Sequence, residues 1–424
     1  MKKILSIVAL TLTVSLICVA QVKKITDTPT PCNGSADALP GKYTDHTNPK
    51  YAHSLKGTAP DKAAITKQLI AIEKVEEASR ANVQLTGCVA RVSFSGGNKN
   101  TFGSYSYNGY GYALGIYQNV CHVTEKVVKT VGEYRSVLRV DVNPTLGGGN
   151  FYGEFGDFYV TDKKVRYEIP IDAKRGVNYE KDRFNNRSRI TRYLSEEMVL
   201  AGRSDNYKDK HGDFLKLING DGYVENWMQG SSEDKVTAKS YQWIDRHYIL
   251  TMPGTPLLVP VTRKEYLEAL LGYYEIEKAN FQWAVADQIK NNNSNTSICE
   301  ADKVAYAKVY ENKKAKVQQL LTSSSADWLQ QPAVVLKDLR PNDYSKASNG
   351  LLDFEKFYDG DPKGMTLYNY NPEYFKTNSG QPLRPMFMEV QIRYELSEDK
   401  GFSKRYFDNF INNYDLQKLR TMLN

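Results

Sequence analysis

Histidine, cysteine and tryptophan are scarce in this chain: five, five and four of 424 residues. No H-E-x-x-H helix, C-x-x-C pair, G-x-S-x-G elbow, P-loop or dinucleotide-binding glycine fingerprint occurs. These absences exclude the enzyme classes that carry such motifs, whereas a hydrolase with dispersed catalytic carboxylates would leave no local trace. The sequence therefore gives no positive evidence for an enzyme and none for a cofactor or metal.

Long hydrophobic runs are also absent, apart from one at the N-terminus. Two lysines precede an apolar run over residues 4–18, and small residues stand before Gln21. This is the pattern of a secretory signal cut after Ala20, which predicts a secreted or periplasmic protein. Bulky Ile17 disfavours lipid attachment at Cys18. The most apolar later stretch, 249–261, is interrupted by three prolines, so no transmembrane segment is expected in the mature chain.

Four cysteines remain after the predicted cut. In an oxidising compartment an even number favours two disulfides, for which three connectivities are open. Buried free thiols are the alternative. The candidate cysteines are Cys32, Cys88, Cys121 and Cys299.

Two long helices are predicted over about 262–321, folded back on each other as an antiparallel hairpin. In the first, apolar residues recur at steps of three and four, and Thr262 with Glu265 forms a capping-box pattern. The asparagine-rich run 291–295 ends it. Ser297 and Glu300 repeat the capping pattern before the second helix. An earlier amphipathic helix is expected from about Asp61.

Strand-like alternation appears over about 85–172 and again near 386–395. In the first region Arg91 and Ser93 alternate with apolar residues, as Arg139 and Asp141 do further on. A polar residue at every second position is typical of a strand with one buried face. The sequence thus predicts an α+β fold with a mainly antiparallel sheet, onto which the C-terminal strand docks.

A window rich in tyrosine and glycine, FGSYSYNGYGYALGIY, runs from 102 to 117. A turn at Asn108-Gly109 would make it a hairpin with an aromatic ladder. The functional hypothesis is a platform for sugar rings, and the alternative is cross-strand packing. The four candidate ligand-binding tyrosines are Tyr105, Tyr107, Tyr110 and Tyr112.

The net charge of +7 is concentrated in residues 163–192, which hold ten basic and four acidic groups. Such a segment suits an anionic partner, although solvated surface charge is the commoner explanation. For an exported protein, an anionic glycan or envelope surface is favoured, and no nucleic-acid partner is expected. Arg187, Arg189 and Arg192 are the candidate contacts.

Metal binding and histidine catalysis have weak support. The stretch 217–228 resembles a calcium loop but has Leu217 and Met228 where carboxylates are needed. His211 lies between Asp209 and Asp213, and His247 lies close to Asp245, but spacing alone fixes no catalytic geometry. No metal site is predicted.

The chain divides into a signal peptide (1–20), an extended polar lead-in (21–60), an α+β region (61–260) and a helical and C-terminal region (261–424) that can share one core with it. The signal and the tyrosine-rich remainder resemble exported bacterial proteins in general, which implies no activity. The leading hypothesis is an exported, non-catalytic, envelope-associated binding protein, with glycan as the ligand class. The alternatives are an extracytoplasmic glycan hydrolase and an assembly protein that uses the helical hairpin.

Overall fold

The computed structural model describes nine ranges of the chain. They are residues 30–45, 54–102, 105–144, 222–230, 241–291, 296–336, 354–377, 380–395 and 401–423. The predicted signal peptide and the basic segment 163–192 lie outside them.

The fold is α+β, as predicted. The strands, numbered along the chain, are β1 (Lys42–Asp45), β2 (Cys88–Phe102), β3 (Tyr105–Cys121), β4 (Val128–Val142), β5 (Tyr223–Gly230), β6 (Tyr241–Thr251), β7 (Leu258–Pro260), β8 (Val334–Leu336), β9 (Gly364–Thr366), β10 (Tyr368–Tyr370) and β11 (Phe387–Glu395). The helices are α1 (Ala59–Arg80), α2 (Arg263–Asn291), α3 (Thr296–Ser323), α4 (Ala326–Gln330), α5 (Pro372–Lys376), α6 (Gly401–Asn413) and α7 (Leu416–Arg420).

The main sheet has the strand order β1-β2-β3-β4-β11-β6-β5. β1 runs parallel to β2, and the other neighbours are antiparallel. The C-terminal strand β11 lies between β4 and β6 and pairs with both. The prediction that the regular strand near 386–395 docks onto the earlier sheet is therefore confirmed.

One face of this sheet is covered by helices. Helix α1 begins behind a capping box formed by Thr58 and Asp61 and buries Ile65, Leu69 and Ile72. These side chains belong to one hydrophobic cluster with alternate residues of β2, β3, β4 and β11 and with aromatic residues of α6. The sheet and the N- and C-terminal helices thus share a core.

A second hydrophobic cluster surrounds the start of α2 and includes Tyr266, Leu267, Leu270 and Val317. Thr262 and Glu265 cap α2 as predicted, with the Glu265 N–H donating to Thr262 Oγ1 over 3.1 Å. The next helix begins at Thr296, so Ser297 lies inside it rather than at its cap.

The lysines that interrupt the apolar stripes of α2 and α3 contact aromatic rings. Lys278 Nζ lies 4.1 Å from the Tyr310 ring centroid, and Lys313 Nζ lies 5.6 Å from that of Tyr274. The Tyr310 hydroxyl also donates to Glu275. A lysine on the buried side of these helices is therefore tolerated because its ammonium group makes a cation–π contact with an aromatic ring on the other helix.

Part of the predicted polar lead-in is structured. Strand β1 pairs with β2, and the Cys32 N–H donates to the Lys126 carbonyl over 2.9 Å. Cys32 is disulfide-bonded to Cys121 at the end of β3. The expectation of a second disulfide is wrong, because Cys88 and Cys299 are free and buried in different elements, β2 and α3.

The turn predicted at Asn108-Gly109 is also wrong, since both residues lie inside the continuous strand β3 and pair with β2. Asn108 is buried, and its backbone N–H donates to the Pro382 carbonyl over 2.7 Å. Tertiary contacts at this position override the local turn preference of the dipeptide.

A β-bulge interrupts β2 at Gly97, where φ is +85°. A Cβ at this position would overlap the Lys56 carbonyl oxygen. We expect Gly97→Ala to lower the free energy of unfolding by about 1–3 kcal/mol, measured by chemical denaturation. Gly132→Ala is the control, because Gly132 has no neighbour within 4 Å and no positive φ. Equal stability of the two variants would contradict the account of the bulge.

Within the described ranges, no helix has both the length and the apolar character needed to cross a membrane.

Candidate functional site

The tyrosine-rich strand β3 presents its large side chains to the core. Tyr110 and Tyr112 lie under α1, where the Tyr112 hydroxyl donates to Glu76 Oε2 over 3.1 Å. Tyr107, on the other face, packs against Phe375 and Phe387 with ring centroids 6.2 Å apart in both cases. These three rings are at most 3 % exposed, so they offer no surface for a sugar. Their burial agrees with the packing alternative, and a ligand contact by Tyr105 stays a prediction.

On the sheet face opposite α1, the middle of β3 carries almost no side chains. Gly109, Gly111, Ala113 and Gly115 lie at alternate positions there, and we call them the glycine strip. The strand register places polar residues on both sides of it. Ser95 and Asp141 flank Gly111, Ser93 and Arg139 flank Ala113, and Arg91 flanks Gly115.

The flanking strands carry exposed side chains beside the strip, whereas Gly111 and Gly115 themselves are buried. Ser93, Ser95 and Arg139 are exposed, Arg91 is half-buried, and the Arg139 side chain retains 45 % of its accessible surface. A Cβ on Gly111 would overlap Asp141 Oδ1, which means that the Asp141 carboxylate lies over the backbone of Gly111. Glycine here admits a functional side chain that a larger residue would displace.

An aromatic and cationic cluster closes one end of the strip. The Tyr117 ring lies against Gly115, with Cε2 3.0 Å from where a Cβ would stand. The Arg91 guanidinium carbon is 4.2 Å from the Tyr117 ring centroid, and the exposed Tyr134 packs edge-on to the same ring. Such stacking holds a guanidinium in place while leaving its N–H groups free to donate.

A row of acid–base residues continues from the strip across β4, β11 and β6. Asp141 stands opposite Glu389 in the register, and Glu389 Oε1 lies 2.8 Å from His247 Nδ1. Burial, opposed by Arg139 and assisted by Glu389, raises the pKa of Asp141 to about 6. His247 and Glu389 are buried, whereas the Asp141 side chain is 31 % exposed. Asp141 is thus the member of the row that solvent reaches, and its own carboxyl changes charge at mildly acidic pH.

A second ion pair lies further along the same face. Arg393 donates two hydrogen bonds to the buried Asp245, from Nε over 2.8 Å and from Nη2 over 2.6 Å. In this bidentate pair, the Nε and Nη2 groups of Arg393 already donate to a protein carboxylate and so stabilise the fold. Arg91 and Arg139 are therefore the arginines of this face that are best placed to meet a ligand, because Arg139 makes a loose ion pair at 3.8 Å with Asp141.

Several predicted residues lie elsewhere. The structure does not describe Arg187, Arg189 and Arg192, so their ligand contact stays a prediction, and the Asp209-His211-Asp213 group also lies outside the described residues. His247 faces Glu389 of the neighbouring strand instead of the nearby Asp245. Among the described residues, no group of three or more histidine, cysteine or acidic side chains is placed to hold a metal ion.

Arg91, Arg139, Asp141 and Glu389 were not predicted as site residues. The signal for them was present in the alternation, which places all four at the polar positions of their strands. What the sequence lacks is the register that brings them onto one face.

Comparison of the chain with protein-family models, with curated proteins and with solved structures found no match.

Proposed function

We propose that this protein binds an anionic polysaccharide across the polar face of its sheet, with Arg91 and Arg139 as the cationic contacts. The observation that carries the proposal is the position of these arginines on the two strands that flank the glycine strip. Guanidinium groups donate paired hydrogen bonds to carboxylates and sulfates, and Ser93 and Ser95 supply hydroxyl groups beside them.

The spacing of the arginines suits a polymer with repeated negative charges. β2 and β4 are separated by β3, and Arg91 and Arg139 are offset by two residues along it, so their Cα atoms lie roughly 12 Å apart. The strip itself runs for about 20 Å from Gly109 to Gly115 at the rise of an extended strand. An extended sugar chain on this surface would meet the side chains of Asp141 and Tyr117, which lie over Gly111 and Gly115.

An extended peptide fits this face less well. Peptides usually bind sheets by adding a strand at an edge, where unpaired N–H and C=O groups supply hydrogen bonds. β3 is an inner strand, and its backbone already pairs with β2 and β4. Recognition here must come from side chains, which suits sugar hydroxyl and acidic groups.

The predicted export of the protein is part of this proposal, since a polysaccharide at the cell envelope would be met outside the cytoplasm. The disulfide between Cys32 and Cys121 supports an oxidising location. We also propose that α2 and α3 form the antiparallel hairpin expected from the sequence. The contacts of Tyr310 with Glu275 and Lys278, and of Lys313 with Tyr274, support that arrangement.

A hydrolase is the second candidate function, because Asp141 and Glu389 are cross-strand neighbours. A carboxyl group with a raised pKa beside a second carboxylate is the acid–base arrangement of many glycosidases. Release of new reducing ends from the polymer, lost in Asp141→Asn without loss of fold, would replace the binding proposal with this one.

Removing the Arg139 side chain tests the binding proposal. We expect Arg139→Ala to weaken binding of a galacturonate oligosaccharide about tenfold or more, because a hydrogen bond to a charged group contributes about 1.5–3 kcal/mol. The affinity is measured by isothermal titration calorimetry. Lys129→Ala is the matched control, since Lys129 lies on the same strand, is ion-paired and is also 45 % exposed.

The same titration has a predicted pH dependence. Above about pH 6 the ionised Asp141 opposes an anionic ligand, and below it the neutral carboxyl does not. Binding should therefore become tighter as the pH falls from about 8 to about 5, and Asp141→Asn should reduce this dependence.

Equal losses of affinity in Arg139→Ala and Lys129→Ala would show that only general positive charge matters and would overturn the site.

A further inference from the structure

A cavity of about 440 Å³ lies well outside the polar face of the sheet, among residues of the second hydrophobic cluster. It is bounded by the first residue of α2, the C-terminal turns of α3, α4 and the segment 354–359. Its volume falls in the range of small-molecule sites, which is about 300–1,000 Å³.

The lining combines aromatic walls with cationic groups. Trp328, Phe354 and Phe357 form apolar surface, and exposed Lys316 and Lys356 stand at the opening. The acidic residues present, Glu355 and Asp359, are exposed and are outnumbered by the cations once Arg263 is included. The site therefore favours a ligand with one negative charge over one with several.

Arg263 is the buried polar group of this cavity. Its side chain is 5 % exposed, and its guanidinium carbon lies 4.6 Å from the Trp328 ring centroid and 5.0 Å from that of Phe357. Nη2 donates to Asp359 Oδ2 over 2.6 Å, whereas Nε is buried and has no hydrogen-bond partner among the described residues. Nε is closed off from solvent, so a ligand oxygen would accept instead from Nη1, which is not among the sealed atoms and makes no hydrogen bond to a described residue.

We propose that this cavity binds a small planar aromatic carboxylate. The ring would pack against Trp328, which meets Phe357 edge-on, and the carboxylate would accept from Arg263 Nη1 with Lys316 near its outer oxygen. Asp359 keeps its hydrogen bond from Nη2, because the guanidinium has five N–H donors and can serve two carboxylates. The site is independent of Arg91 and Arg139, so it can be tested without reference to the polysaccharide.

Indole-3-acetate and its neutral counterpart indole-3-acetamide form a matched pair of probes for the full chain, titrated by calorimetry. We expect the acetate to bind at least tenfold more tightly than the amide. Trp328→Ala and Lys316→Ala should each weaken acetate binding by about tenfold, and Trp328→Phe should retain most of it. Lys308→Ala, exposed on α3 outside the cavity lining, should leave it unchanged.

Because Trp328 stacks on Arg263, the alanine variant could lose affinity through a change in fold. Lys316 is exposed, so we expect Lys316→Ala to keep the native fold, and a loss of acetate binding in this variant reports on the cavity itself. No heat of binding with the acetate, equal affinity for acetate and amide, or unaltered binding in Lys316→Ala would each overturn the proposal.

Discussion

Reducing the Cys32–Cys121 disulfide lowers the free energy of unfolding by about 2–4 kcal/mol, the usual value for a bond that closes a long loop. The two cysteines are separated by 89 residues, and the bond joins the segment before β1 to the end of β3. In the described part of that segment, the other backbone ties are hydrogen bonds with Lys126, Val128, Leu85 and Gly87 and the edge pairing of β1. The loss is measured by denaturant unfolding with and without reductant.

Cys32→Ser combined with Cys121→Ser is the matching variant, and reductant should not destabilise it further. Alkylation of the unfolded, unreduced chain should label Cys88 and Cys299 but leave Cys32 and Cys121 unlabelled until reduction. Labelling of all four before reduction, or unchanged stability on reduction, would contradict the disulfide.

Replacing Glu76 by glutamine should stabilise the protein at neutral and alkaline pH. Glu76 lies on the buried face of α1 and is 1 % exposed, and burial raises the pKa of its carboxyl from 4.5 to about 7, against the opposing effects of Arg80 and Tyr112. Oε1 has no hydrogen-bond partner among the described residues. Above about pH 7 the folded protein must hold this group ionised, at a cost of about 3 kcal/mol.

The sign of the effect follows from the raised pKa. The folded state favours the protonated acid, so the wild type has its full stability below about pH 4.5 and loses it as the pH rises through about 7. The difference between Glu76→Gln and wild type should therefore be near zero at about pH 4 and reach about 3 kcal/mol at about pH 8. The control is Glu77→Gln, a neighbouring side chain that is 53 % exposed. If Glu76→Gln were less stable than wild type at about pH 8, the claim that the ionised Glu76 destabilises the folded protein would be wrong.

The local periodicities of the sequence were enough to predict the elements that carry the sheet. Ile65, Leu69 and Ile72 recur at helical steps, and Met388, Val390 and Ile392 alternate, and each set is buried as its period requires. The docking of the C-terminal strand could be predicted because an isolated strand needs a neighbour to pair with its backbone N–H and C=O groups.

The candidate site was less predictable, because it depends on pairing between distant strands. Arg139 and Asp141 were recognised as the polar positions of a strand, but nothing local indicates that Glu389 lies opposite Asp141 or that His247 reaches Glu389. The tyrosine and glycine window was misjudged in a related way. With no turn at Asn108-Gly109, Tyr107, Tyr110 and Tyr112 are buried, and the glycines leave room on the other face for the Asp141 and Tyr117 side chains.

The choice among disulfide connectivities and the buried Arg263 also lie beyond sequence patterns. Four cysteines allow three pairings, and only the strand arrangement brings Cys32 to Cys121. Arg263 stands at the first position of a helix, and no local sequence pattern indicates that it is buried. Trp328 and Phe357 enclose it through tertiary contacts from later segments of the chain.

The most direct test of the proposed function is a calorimetric comparison of two ligands on the wild-type protein: a galacturonate oligosaccharide and its methyl ester of equal length. The account predicts that the anionic chain binds, that added salt weakens it, and that the neutral ester binds at least tenfold more weakly. Equal affinity for the two ligands, or no binding of the anionic one, would contradict the role of Arg91 and Arg139.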